Sequence, residues 1–233
     1  MTLGDAQQDF LAFLSAEKGL SSRSIQAYTA DVRRFVRFAT AHGMQQARQA
    51  TPQHVNEHLV ALAKQGLGAR SRGRHLSALK QFFDWLVRQE ALAANPVDLL
   101  DRPKISRRLP TFLTLRQVEQ LLRAPDQSTP RGLRDYAMIA LLYATGLRVS
   151  ELVGLQKSDT DLTRGFVLVT GKGNKQRVVP MGEQALAAVQ TFVQTARQQL
   201  LKNRTSPYLF VGTATATALS RQMFWKILRR TAS

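Results

Sequence analysis

Apolar residues in the first hundred positions recur at spacings of three and four, the period that places them on one face of an α-helix. The clearest stripe consists of Ile25, Tyr28, Val32, Phe35 and Ala39. Glycine or proline separates consecutive stripes, as expected where helices begin and end. The pattern therefore predicts four helices in residues 1–102, with the fourth running from about Ser71 to Glu90.

Two kinds of periodicity alternate after residue 110. Helical spacing is found over 133–144, 149–155, 184–200 and 221–230. A capping box, Thr114 with Gln117, predicts the start of a further helix. The runs FVLVT (166–170) and QRVVP (176–180) are rich in β-branched residues and flank GKGN, a pattern typical of a β-hairpin. We expect a mainly α protein, α+β in its second domain, which holds a small antiparallel sheet.

The segment DRPKISRRLP (101–110) combines two prolines and several basic residues with little apolar content. Such composition is typical of an extended linker. The sequence therefore predicts a helical domain over 1–102, a basic linker over 103–110 and a second domain over 111–233.

Charge suggests the kind of partner. Lys and Arg total 33 against 16 Asp and Glu, which gives a net charge of +17 and a pI near 11.3. The excess is +4 in residues 1–102 and +13 in the rest. An excess of this size favours a polyanion, either nucleic acid or an anionic membrane surface.

Basic residues crowd the start of the fourth helix, at Arg70, Arg72, Arg74 and Lys80. Cations oppose the helix dipole there, so a phosphate-binding surface and a merely solvated basic end both stay open.

Several other chemistries are excluded. The chain has no cysteine, so disulfides and thiolate metal sites are ruled out. No apolar stretch is long enough to span a bilayer, and the N-terminus does not resemble a secretory signal. Asp159 and Asp161 supply too few oxygen ligands for a calcium loop and are interpreted as turn or cap residues. His54 and His58 are four residues apart but have no third ligand, and we expect surface histidines.

Two segments carry the strongest functional signal. LLYATGLRVSELVGL followed by GKGNKQRVVPMG resembles the Xer type of tyrosine recombinases, with YATGLRVSEL as the first arginine motif and GKGNKQRVVP as the hairpin lysine motif. GLSSRSIQAYTADVRRF (19–35) resembles the helical core-binding domain of this family. LSRQMFWKILRR (219–230) resembles the helix before its second arginine motif. The resemblance therefore spans essentially the whole chain.

The resemblance implies a reaction and its residues. These enzymes attack a DNA phosphodiester with a tyrosine and form a 3′-phosphotyrosine, without metal, ATP or any other cofactor. By motif position Arg148 neutralises charge on the phosphate, where its planar fork suits two oxygens. Glu151 matches the acidic residue of the family and is expected to orient Arg148. Lys172 is expected to protonate the leaving 5′-oxygen. Without the resemblance, Arg148 would be interpreted as a surface arginine and Lys172 as a solvated turn lysine.

Further DNA contacts are expected at Lys175, Arg177 and Arg221. The family implies binding to one half of a dif-like site in double-stranded DNA. It also implies a heterotetramer with a second recombinase of the XerC type, and activation by a DNA translocase of the FtsK type. The process would be chromosome-dimer resolution at cell division, in the cytoplasm.

The sequence departs from the family pattern at its end. No histidine is followed three residues later by arginine, so the HxxR box is not found. Tyr28, Tyr136, Tyr143 and Tyr208 do not match the nucleophile position; Tyr136 and Tyr143 are expected in a buried helix. We expect a C-terminally truncated recombinase that binds DNA but does not cut it. The alternatives are a phage, plasmid or integron integrase and a non-catalytic DNA-binding remnant.

Overall fold

Two hydrophobic clusters organise the chain, one in each of the units Met1–Leu109 and Pro110–Ser233. The computed structural model describes residues 1–16, 20, 22–101, 112–171, 175–212 and 216–232. The described part is mainly helical, with a small antiparallel sheet in the second unit, so the predicted fold class is confirmed. The predicted linker, 103–110, lies outside the described residues. No helix within the described ranges is long and apolar enough to cross a membrane.

Four long helices form the first unit, as predicted. They are α1 (Leu3–Ala16), α2 (Ser22–Ala41), α3 (Pro52–Lys64) and α4 (Ala69–Arg88). The hydroxyl of Thr51 accepts a hydrogen bond from the His54 amide and caps α3. The apolar stripes meet in an aromatic core, where the rings of Phe10 and Phe82 pack edge to face with centroids 5.3 Å apart.

Two histidines of this unit are buried, and the prediction that His58 is a surface histidine is wrong. His58 and His75 are 1% and 0% exposed, and their Nε2 atoms share a hydrogen bond of 2.8 Å. Nδ1 of His75 lies 3.1 Å from Oδ1 of Asp31, which is also buried. His58 follows the buried Val55 by three residues, so it lies within the inward face of α3. The pKa of His58 is lowered to about 3, mainly by burial and also by the nearby His75 and Arg34, while Asp31 opposes the shift.

The second unit consists of six helices and three strands within the described residues. The helices are α5 (Leu115–Arg123), α6 (Pro130–Thr145), α7 (Val149–Gly154), α8 (Glu183–Thr191), α9 (Arg197–Leu201) and α10 (Arg221–Thr231). The strands are β1 (Thr160–Asp161), β2 (Phe166–Thr170) and β3 (Gln176–Pro180), antiparallel in the order β1-β2-β3. The predicted hairpin strands are confirmed to the residue. The short strand β1 was not predicted, because no run of β-branched residues marks it in the sequence.

The interpretation of Asp159 and Asp161 as turn residues is confirmed. Oδ2 of Asp159 accepts from the Gln156 amide at 2.9 Å. Oδ1 of Asp161 accepts from the Arg164 amide at 2.8 Å. Both carboxylates thus satisfy backbone donors at the edge of the sheet.

The helix predicted over 184–200 contains an irregular turn. Between α8 and α9 the segment Phe192–Ala196 forms a π turn, in which the Arg197 amide donates to the carbonyl of Phe192, five residues earlier. The side chain of Arg197 is buried and donates to the backbone carbonyls of Ser206, Tyr208 and Leu209 at 2.9, 2.6 and 3.1 Å. This arginine therefore pairs the carbonyls of a loop that packs under the helix.

Candidate DNA-phosphate site

Arg148 stands at a sharp turn between two helices. The chain leaves α6 through Gly146, which adopts the left-handed conformation with φ of 60°. The next side chain, Leu147, is buried and anchors the turn in the core. Arg148 follows as the N-cap residue of α7, and its side chain is 72% exposed. The turn thus presents a guanidinium group to solvent.

Glu151 holds this arginine in place from the first turn of α7. Its Oε2 accepts the backbone amide of Arg148 at 2.8 Å, and its Oε1 accepts Nη1 of the same residue at 3.0 Å. The side chain of Glu151 is only 8% exposed. A buried carboxylate with charged donors orients its partner more strictly than a solvated one.

A second arginine reaches the same carboxylate from the sheet. Arg177 lies opposite Val169 in the β2–β3 pair. Its Nη1 and Nη2 donate to Oε1 and Oε2 of Glu151 at 3.1 and 2.9 Å. The hydrogen bond from Arg177 is the main cause that lowers the pKa of Glu151 to about 2, with further contributions from Arg148. The carboxylate therefore stays ionised, and the cluster of Arg148, Glu151 and Arg177 carries one excess positive charge.

This cluster suits an anion with several oxygens. Only Nη1 among the guanidinium nitrogens of Arg148 is engaged by another described residue. The other guanidinium nitrogens of Arg148 belong to an exposed side chain whose backbone amide is held by Glu151. Arginine stays protonated and presents paired donors, which match phosphate oxygens.

The predicted hairpin lysine, Lys172, lies outside the described residues. The backbone on either side of it is described: the amide of Gly171 donates to the carbonyl of Lys175 at 2.8 Å. Lys175 itself is exposed. Gly171 and Lys175, which flank the undescribed part of the lysine motif, belong to the same hairpin as Arg177. The hairpin therefore brings them towards the cluster of Arg148, Glu151 and Arg177.

The basic residues predicted as contacts on α4 differ in their surroundings. Arg70 is exposed at the start of the helix. Nη1 of Arg72 donates to the Leu67 carbonyl at 3.1 Å. Arg74 pairs with Asp31 at 2.7 Å, and Lys80 pairs with Asp98. Three of the four thus have protein partners, and their DNA contacts stay a prediction.

Helix α10 carries Arg221 in its exposed first turn. Trp225, one turn later, is 56% exposed. The other end of the helix is tied to α6, since Arg230 donates to the fully buried Asp135 at 2.8 Å. An exposed stripe of Arg221 and Trp225 on a fixed helix is compatible with the predicted DNA contact.

The two tyrosines of α6 differ in burial, since Tyr136 is partly buried and Tyr143 is exposed. Tyr143 is 57% exposed, so the prediction that it lies buried in α6 is wrong. It follows the buried Leu141 by two residues, which turns it about 200° away on the helix. Tyr28 accepts a hydrogen bond from Gln81 at 3.0 Å in the first unit.

Comparisons with known proteins match both parts of the chain. Residues 111–233 match the Phage integrase family, and residues 8–90 match the Phage integrase N-terminal SAM-like domain. The chain is 38% identical to tyrosine recombinase XerD of Halalkalibacterium halodurans over 232 residues, which cover 99% of this chain and 77% of that protein. It is also 38% identical to tyrosine recombinase XerD of Staphylococcus aureus, over 96% of this chain and 75% of that protein.

Solved structures agree with this fold. A lambda integrase (75-356) dimer bound to a COC′ core site matches with a TM-score of 0.76 at 17% identity, over 100% of this chain and 78% of that one. The XerH recombinase bound to a palindromic difH substrate matches with a TM-score of 0.70 at 20% identity, over 89% of this chain and 61% of that one. At these identities the likeness concerns the fold. Together with the sequence relatives and the matched domains, it confirms the resemblance: this chain belongs to the phage integrase family of tyrosine recombinases.

Proposed function

We propose that this chain binds double-stranded DNA at a dif-like site and that Arg148 contacts the scissile phosphate. The observation that carries the proposal is the exposed guanidinium of Arg148, fixed at its base by Glu151 inside the YATGLRVSEL motif. A preorganised cation of this kind stabilises charge that develops on non-bridging oxygens during attack at phosphorus.

Lys172 is assigned to the leaving group in the same proposal. As tyrosine oxygen bonds to phosphorus, the bond to the 5′-oxygen breaks, and that oxygen needs a proton. A lysine can release one, whereas an arginine holds its own too tightly. The turn between β2 and β3 is a suitable place for such a group, since the same hairpin is tied to Arg148 through Arg177 and Glu151.

The finer role follows the XerD relatives. We infer chromosome-dimer resolution, in which the chain occupies one half-site beside a second recombinase of the XerC type, with a translocase of the FtsK type as activator. The net charge of +17 supports a polyanionic substrate. XerH, a fold neighbour, is described as bound to a difH substrate, which agrees with a site of this kind.

The chain by itself is proposed to bind without cutting. Tyr28 belongs to the first unit, and Tyr136 and Tyr208 are partly buried. Tyr143 is exposed but lies on α6, in the motif that supplies Arg148. Without a nucleophile in line with the phosphate, no covalent intermediate can form.

A nicked suicide substrate with a dif-like site tests both parts. We expect a salt-sensitive complex and no adduct that survives denaturation. If an adduct forms, the variant Tyr143→Phe decides whether the exposed tyrosine is the nucleophile, and the proposal of binding without cutting is wrong. The role of Arg148 is tested in a chimaera that appends a C-terminal segment carrying the HxxR box and nucleophilic tyrosine that the family resemblance implies.

In that chimaera Arg148→Gln should abolish adduct formation and retain most of the DNA affinity, because one phosphate contact among many is lost. The matched control is Arg164→Gln, which removes an exposed arginine from the turn between β1 and β2. Undiminished adduct formation in Arg148→Gln would contradict the assignment. Absence of any salt-sensitive complex, from a folded sample, would contradict DNA binding itself.

A further inference from the structure

Arg177 differs from the other cations of the candidate site in how its donors are used. Both of its terminal nitrogens are engaged by the two oxygens of Glu151, at 3.1 and 2.9 Å. Arg148 gives the same carboxylate only Nη1 of its guanidinium group and keeps 72% of its side chain exposed. A guanidinium in a two-pronged pair with a buried carboxylate is costly to withdraw, because the carboxylate would lose its charge partner.

The location of Arg177 adds to this difference. The residue lies in β3 opposite Val169, two positions after Lys175. Its Nη1 lies 3.4 Å from the position that a Cβ on Gly171 would take, so the guanidinium runs along the base of the hairpin turn. Glu151, the partner of Arg177, is the third residue of α7, and its carboxylate accepts the backbone amide of Arg148. One carboxylate therefore joins the sheet to the helix that presents Arg148.

We propose that Arg177 is a positioning residue, which fixes the β2–β3 hairpin against Arg148 through Glu151 and is not itself a DNA contact. The inference rests on the proposed function, since it assumes that Arg148 and the turn containing Lys172 act on one phosphate. It revises the expectation that Arg177 binds a phosphate or a base. It also explains why an arginine is suited to this position, because lysine cannot donate to both carboxylate oxygens in one plane.

The test uses this chain and measures two quantities separately, the position of the hairpin relative to α7 and the affinity for DNA. The absence of cysteine allows two to be introduced for spin labels, Gly154→Cys at the end of α7 and Lys175→Cys on the hairpin. A Cβ at Gly154 meets no atom within 4 Å, and Lys175 is exposed. Dipolar EPR then reports the distance distribution between helix and hairpin. We expect a narrow peak in the parent chain and its loss in Arg177→Gln.

Two variants make this comparison specific. Arg177→Lys keeps the charge but places its donors on a single nitrogen instead of a planar fork, so it should restore the narrow peak in part. Arg164→Gln removes an exposed arginine from the turn after β1 and should leave the peak unchanged. A peak that stays narrow in Arg177→Gln overturns the proposal.

DNA binding supplies the second readout, on chains without labels. A cation that contacts phosphate contributes about 0.9 to the slope of log affinity against log salt. We expect Arg177→Gln to leave this slope unchanged, whereas a slope reduced by about 0.9 would make Arg177 a DNA contact and overturn the proposal. If the parent chain binds no DNA, the proposed function fails, and the EPR comparison alone decides whether Arg177 positions the hairpin.

Discussion

Acidification should destabilise the first unit through His58. This histidine is 1% exposed and has its pKa lowered to about 3, against an ordinary value near 6.5. Between these two values the unfolded chain binds a proton that the folded unit does not. Stability is therefore full above pH 6.5 and falls as the pH drops towards 3.

The size of the loss follows from the two pKa values. At pH 5 the proton bound only by the unfolded chain costs about 2 kcal/mol, and each further pH unit costs about 1.4 kcal/mol. The figure at pH 5 depends little on how far below 5 the native pKa lies. Domains of this kind are stable by about 5–15 kcal/mol, so the loss is a substantial fraction.

Trp85 offers a reporter for the first unit. The chain has two tryptophans, and Trp85 is buried there with its ring 5.8 Å from that of Phe10. In the background Trp225→Phe, urea unfolding followed by fluorescence at pH 7 and pH 5 isolates this unit. The variant His58→Gln cannot titrate and should lose the pH dependence, whereas His42→Gln, at an exposed site, should keep it. If the free energy of unfolding falls between pH 7 and pH 5 by the same amount in the parent and in His58→Gln, within about 0.5 kcal/mol, the reasoning is refuted.

Three further outcomes are expected. Gly132→Ala should destabilise the second unit by about 3 kcal/mol in thermal unfolding, because its Cβ would lie 1.7 Å from the carbonyl oxygen of Asp126. The control Gly154→Ala meets open space and should not destabilise the second unit, because alanine is favoured over glycine within a helix by roughly 0.5–1 kcal/mol. Arg197→Leu should cost about 3 kcal/mol or more in urea unfolding, since it removes the donors to the carbonyls of Ser206, Tyr208 and Leu209. DNA affinity, measured by anisotropy, should fall about 1,000-fold between about 50 and 200 mM salt if about six phosphates are contacted; an affinity independent of salt would contradict the role of the basic surfaces.

Local patterns predicted the elements of this fold well. The hairpin strands agree to the residue because β-branched runs flank a glycine-rich turn, and α6 ends at Gly146 because that backbone turns left-handed there. These features depend on a few consecutive residues. The same holds for the capping box of Thr114 and Gln117, in which each side chain accepts from the backbone amide of the other residue.

Side-chain partnerships were much harder to predict. His58 meets His75, which is 17 residues away, and Glu151 meets Arg177, which is 26 residues away. Neither distance follows from a helical or strand period, since both depend on how separate elements pack. The motifs did single out Arg148, Glu151 and Arg177, but they could not tell that the two arginines share one carboxylate.

The π turn at 192–196 affects how this helix tolerates changes in length. Its five-residue hydrogen bond, from Arg197 to Phe192, encloses one residue more than an α turn does. Deleting one residue there would close an ordinary α turn and keep the buried faces of α8 and α9 in phase. The same deletion inside α6 would rotate one half of that helix by about 100° against the other and bring polar side chains into the core. We therefore expect single-residue length differences among relatives to occur at this turn rather than in α6.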